Sequence, residues 1–172
     1  LYFTHKNKED DWEVMAVQFV PAEKESYDPS MQVGEQAPDY TETEVSFGTE
    51  SFPLKGTLTL PSEASEANPV PACVLVHDRG AMDRDETLGS THLFADLAQA
   101  FADLGIATLR YDKRTYLYGE SAEMSVEEEV IDDAVLAGKA LAENSMIDSS
   151  LIVVVGHGFG GTLAHRIAQA SD

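Results

Sequence analysis

The residues best placed for chemistry are Gly156, His157, Gly158, Phe159, Gly160 and Gly161, between an apolar run at 151–155 and a helical pattern over 159–170. A buried strand that turns sharply into a helix lifts the middle residue of the turn above the sheet. In the pattern Gly-x-Ser-x-Gly that residue is a serine whose oxygen attacks an acyl carbon. Here it is Gly158, which has no oxygen or sulfur to attack with. Gly156, Gly158 and Gly161 also satisfy G-x-G-x-x-G, in which backbone amides cradle a dinucleotide pyrophosphate. That reading needs an acidic ribose ligand about 20 residues further on, at or beyond Asp172. The nucleophile turn is therefore the favoured reading. A plain glycine turn without chemistry is the third.

The elements that position this turn follow from hydrophobic periodicity. Residues 72–76 form a continuous apolar run, as in a parallel strand covered on both faces. Leu93, Phe94, Leu97, Ala98 and Phe101 recur at helical spacing over 92–104, and Gly105 stops that helix. Residues 106–109 and 151–155 read as further buried strands. Ser125 and Glu128 have the spacing of a capping box opening a second helix, along which Val130, Ala134 and Leu141 make an apolar stripe. The alternation β-α-β-α-β-α predicts an α/β fold with parallel strands and crossover helices. Upstream, residues 43–47 and 54–60 read as a strand pair, and 62–71 as an exposed loop. Residues 1–4 and 12–19 read as a short hairpin around a polar turn. Three prolines among polar residues make 21–42 a linker.

The chain has 172 residues, 43% of them hydrophobic, enough for one folded domain with a core. Its formal charge of −20, from 31 acidic against 11 basic residues, opposes binding to a phosphate backbone, so no nucleic-acid partner is expected. No apolar run approaches the ~18 residues of a spanning helix, and no leader pattern opens the chain. The compartment stays open, since a leader can be removed. Cys73, the sole cysteine, excludes an internal disulfide framework and reads as a small core residue; no metal site is expected.

A second segment bears on the turn. Val74 to Gly80 runs from the first parallel strand through His77, Asp78 and Arg79. It resembles the His-Gly loop that supplies one amide of a hydrolase oxyanion hole, the other coming from the residue after the nucleophile. The resemblance makes the amides of Arg79 and Phe159 the donors. Asp78 departs from the glycine usual there and is expected to point away, because a carboxylate beside that site would oppose developing negative charge.

The stretches 57–61, 83–87, 105–114 and 126–133 are similar to bacterial α/β-hydrolases of the dienelactone-hydrolase and acyl-thioesterase-like group, in which a small accessory domain precedes the hydrolase. The resemblance implies a three-layer hydrolase sheet, of which this chain is the N-terminal half. Residues 1–20 would then end an accessory domain and 43–172 be a partial hydrolase domain. It also implies serine-hydrolase ancestry acting on small-molecule carboxylic esters or thioesters, with no cofactor. Hydrolysis itself is not expected. The nucleophile position is Gly158, and the acid and histidine of such enzymes follow later strands, past Asp172. The alternatives are a non-catalytic ligand-binding module and the dinucleotide-binding domain.

No histidine present replaces them. His157 is expected to pack beneath the elbow and His165 to face away from it. His92 has nothing to activate, and His77 supports its loop. Asp83, Arg84, Asp85, Arg110, Asp112, Lys113 and Arg114 gather where open α/β sheets bind ligands. Their close alternation of sign favours a salt-bridged brace over an anion-binding patch. Half a sheet would leave an unpaired edge, so the chain is expected either to self-associate near 151–155 or 106–109, or to pair with its missing C-terminal half.

Overall fold

The computed structural model describes residues 2–6, 12–17, 39–119 and 125–171. The chain divides into two units, Leu1–Gln36 and Ala37–Asp172. In the first, β1 (Tyr2–Lys6) and β2 (Trp12–Val17) pair antiparallel, with a register shift between Phe3 and Thr4. The polar turn at 7–11 and the linker up to residue 38 lie outside the described residues. The end of the expected linker is strand instead, because β3 starts at Tyr40.

The second unit holds a five-stranded sheet in the order β3–β4–β8–β5–β9. Its strands are β3 (Tyr40–Gly48), β4 (Pro53–Pro61), β5 (Val70–Val76), β8 (Ala107–Tyr111) and β9 (Ile147–Gly156). The short pair β6 (Thr87–Leu88) and β7 (Thr91–His92) lies between β5 and α1 (Leu93–Ala102). A short helix, α2 (Arg114–Tyr118), follows β8. A π-helical turn (Glu127–Asp132) leads into α3 (Asp133–Ala142), and α4 (Gly158–Ala170) follows β9. β3, β4 and β8 pair antiparallel in turn, while β5 runs parallel to both β8 and β9. Parallel neighbours need crossovers, and the helices supply them.

Side-chain alternation along the strands builds three layers. Ala72, Val74 and Val76 of β5 face a core made with Val130, Ile131, Ala134, Ala137 and Leu141 before and along α3, and with Leu163 and Ile167 of α4. Cys73 and Leu75 face the opposite side and pack with Phe94, Leu97 and Phe101 of α1. Burying Phe94, of which 1% remains exposed, contributes about 2–3 kcal/mol. The capping box forms at Ser125, whose Oγ accepts the Glu128 N–H at 3.2 Å while Glu128 Oε2 accepts the Ser125 N–H at 3.0 Å.

Three expectations need correction. The loop at 62–71 ends early, because Val70 is buried in β5. The strand at 151–155 is not buried on both faces: β9 ends the sheet order, and Leu151 and Val153 are 51% and 55% exposed. The strand at 106–109 offers no edge for association, because β8 lies between β4 and β5 and every residue of it is buried. Sheet order, which local periodicity does not encode, decides both strand outcomes.

Candidate active site

The elbow is fastened to the end of β5 by backbone. The His157 N–H donates to the Val76 carbonyl at 2.9 Å, and the Gly160 N–H to the His77 carbonyl at 3.0 Å. Any Cβ on Gly160 would meet those two carbonyl groups, and one on Gly156 would meet the backbone of Gly160 and Gly161. Close approach of β5, β9 and α4 therefore explains both glycines. Gly158 has φ 50°, the left-handed turn from strand to helix.

Contrary to expectation, the Asp78 side chain turns into the elbow. Its Oδ1 accepts the Phe159 N–H at 2.7 Å, and the Arg79 N–H lies beside the same carboxylate. Those amides, Phe159 first, hold the Asp78 carboxyl below the usual carboxylate range. A Cβ on Gly158 would collide with this carboxyl group. The two amides proposed from sequence as oxyanion donors thus converge on one point, and that point is filled by an acid of the same chain. The reason is electrostatic: an amide pair at a helix N-terminus attracts the nearest anion. The Arg79 guanidinium lies over the Phe159 ring, 4.6 Å from its centroid, and closes the turn further.

Glu86, which the sequence reading did not single out, and Lys113, read there as part of the charged cluster, hold the Asp78 backbone. Glu86, fully buried, accepts the Asp78 N–H on Oε1 at 2.8 Å, and its Oε2 lies 3.1 Å from His157 Nδ1. Lys113, 4% exposed, donates to the Asp78 carbonyl at 3.1 Å and pairs with Glu129 at 3.4 Å. Glu86 sits inside the polar stretch 83–87, and only its burial distinguishes it from a solvated loop acid.

The histidines divide by environment. His77 is 2% exposed, its Nε2 bonds the Asp83 carbonyl at 2.9 Å, and its ring packs on Phe94 and Tyr111. Burial, aided by Lys113, pushes its pKa down to about 3, so the ring stays neutral. Nε2 is therefore the protonated nitrogen and donates to that carbonyl. His157 is not packed beneath the elbow; its side chain is 46% exposed. His165 is exposed on α4, and exposed His92 bonds Thr87 Oγ1 at 3.1 Å.

The charged residues interlock. Arg84 holds Asp112 through Nε at 3.2 Å and Nη2 at 2.6 Å, and Asp112 also accepts the Arg84 N–H at 2.9 Å. Arg110 contacts Asp85 at 2.7 Å, Glu42 at 2.9 Å and Thr59 at 2.8 Å. Arg114 pairs with fully buried Asp133. Asp83 turns inward on its own loop, accepting the Thr87 N–H at 2.9 Å. The Arg84–Asp112 pair ties the loop after β5 to the loop after β8, and Arg110–Asp85 ties it to β8 itself. A recess of about 460 Å³, lined by Val74, Ala134, Gly138, Ile152 and Ala164 among others, lies between α3, α4 and β9, and no elbow residue lines it. Among the described residues, no group of acidic, histidine or cysteine side chains is arranged to hold a metal ion, and no helix is long and apolar enough to cross a membrane.

A mixed sheet whose β8, β5 and β9 run parallel, with helices on both faces and a glycine turn from β9 into α4, forms an α/β-hydrolase fold. Solved structures share it. The Pyrobaculum calidifontis esterase matches with TM-score 0.56 and 23% identity, over 76% of this chain and 40% of that one. Brefeldin A esterase, a bacterial homologue of human hormone-sensitive lipase, matches with TM-score 0.58 and 16% identity, over 82% and 38%. A dienelactone hydrolase-like promiscuous phosphotriesterase from metagenomic libraries gives TM-score 0.53 and 19% identity, over 77% and 55%. The chain shares the α/β-hydrolase fold with these esterases. In sequence it is 39% identical over 140 residues to esterase EstD of Thermotoga maritima, covering 79% of this chain and 32% of that protein. The chain thus spans about a third of that relative's length. No family model matches.

Proposed function

We propose that this chain is a non-hydrolytic member of the ester- and thioester-hydrolase group. One observation carries the reading: at the elbow, where a nucleophile's side chain would start, the Asp78 carboxylate stands over Gly158, accepts the Phe159 amide and lies beside that of Arg79. A hydrolase of this design needs an oxygen at that position to attack the acyl carbon and two free N–H groups for the oxyanion that forms. Gly158 supplies no oxygen. Asp78 occupies the donors with a charge of the sign the transition state would bring, and losing one donor alone costs about 10²–10³ in rate. The Asp78 carboxylate is no replacement nucleophile, because amide hydrogen bonds stabilise its charged form and lower its basicity. A dinucleotide pyrophosphate on the α4 N-terminus would face the same carboxylate, which disfavours that alternative.

In this reading the ancestral substrate is a small-molecule carboxylic ester or thioester, and the reaction calls on no cofactor. Residues 43–172 are the hydrolase part and 1–20 the end of an accessory unit. A fluorophosphonate probe should leave the elbow unlabelled, while Asp78→Gly with Gly158→Ser, made in a chain long enough to carry the acid and histidine of the later strands, should create labelling at 158. Labelling of the unmodified elbow would overturn the proposal. Failure of the double variant to label would show that silence does not reside in these two residues.

A further inference from the structure

Three of the four hydrogen-bonding groups of the two peptides flanking Asp78 are held by hydrogen bonds. In the 77–78 peptide, the carbonyl accepts the Gly160 N–H at 3.0 Å, and the Asp78 N–H donates to Glu86 Oε1 at 2.8 Å. In the 78–79 peptide, the carbonyl accepts from Lys113 Nζ at 3.1 Å, and the Arg79 N–H lies beside the Asp78 carboxylate. A planar trans peptide points its carbonyl and its N–H in opposite directions. Lys113, gripping the Asp78 oxygen from the β8 side, therefore aims the Arg79 N–H at the elbow. Glu86 fixes the preceding plane and so removes the rotation that would let the second plane turn.

Both side chains are built in rather than incidental. Lys113 is 4% exposed and Glu86 fully buried. Glu86 has φ 50°, the sole positive φ at a non-glycine among the described residues. L-residues rarely adopt that conformation, and it tends to persist where surrounding structure imposes it at functional positions. Glu86 Oε2 also lies 3.1 Å from Nδ1 of His157 in the elbow.

We propose that Lys113 and Glu86 are positioning residues that clamp the peptides on either side of Asp78 and thereby set the direction of the Arg79 oxyanion donor. The inference rests on the reading of position 158 as the nucleophile place of the elbow. It assigns a role to two charged groups that touch no reacting atom. The Phe159 donor is independent of them, since α4 carries it.

Residue-resolved NMR separates these roles. In the unmodified protein, the Asp78 carboxyl should titrate below the usual range, with the Arg79 and Phe159 amides both protected from hydrogen exchange. In Lys113→Met, exchange at Arg79 should accelerate by roughly tenfold, the loss of one hydrogen bond. The Asp78 titration should rise toward its ordinary value, while Phe159 stays protected. Glu86→Gln should act in the same direction and decides the matter if Lys113→Met does not fold. Unchanged Arg79 protection in a folded variant overturns the clamp, as does equal deprotection of Arg79 and Phe159, which marks general loosening. An ordinary Asp78 titration in the unmodified protein sinks the reading of the site itself.

Discussion

Replacing Gly158 by alanine forces an L-residue to φ near 50° and drives a Cβ into the Asp78 carboxyl group. The backbone part alone costs about 1–2 kcal/mol, equivalent to a Tm fall of about 2–8 °C for a chain of this size. The collision adds to it, because Asp78 must leave the Phe159 amide, 2.7 Å away, to make room. Gly158→Ala should therefore cost more than the backbone figure when Asp78 is present and return to it in an Asp78→Gly background. Asp78→Asn keeps the bulk and removes the charge, so it should retain most of the penalty if overlap is the cause. Urea denaturation of the four chains of the cycle measures this, with an unchanged slope showing that the unfolded state is not involved. Equal losses in both backgrounds, within the ~0.3–0.5 kcal/mol of additive behaviour, would show that Asp78 does not fill the elbow.

Other outcomes follow from burial and exposure. His77 has its folded pKa pushed down to about 3 by burial, against about 6.5 unfolded. Its neutral form thus contributes stability that is whole above pH 6.5 and declines as pH falls toward 3, by about 5 kcal/mol in the limit; His77→Phe should flatten that part of the stability curve, and parallel curves would refute the assignment. The Cys73 thiol, 1% exposed and pushed up by burial to about 12, should ignore a disulfide reagent at pH 8 in the native protein and react fully in urea. Leu151 and Val153 lie exposed on the edge strand β9, so the isolated 172-residue chain should self-associate with concentration, and Val153→Lys should reduce this in sedimentation; a monomer at every concentration would defeat it.

Local patterning alone determined much of this molecule. The apolar run of β5, the helical stripe of α1 and the Ser125–Glu128 box each depend on residues a few positions apart, whose periods and caps follow from backbone geometry. The six residues from Gly156 to Gly161 likewise announce a tight strand-to-helix turn, and position 158 has no reactive atom whatever surrounds it. Tertiary structure decided the rest, because the deciding contacts join distant segments. Asp78 meets Phe159 across 81 positions and Lys113 across 35, so no window of sequence shows which way that carboxylate turns. The central place of β8 and the open face of β9 come from sheet order. Glu86 looks like any loop acid until the packed chain removes its water and leaves the Asp78 amide as its hydrogen-bond partner.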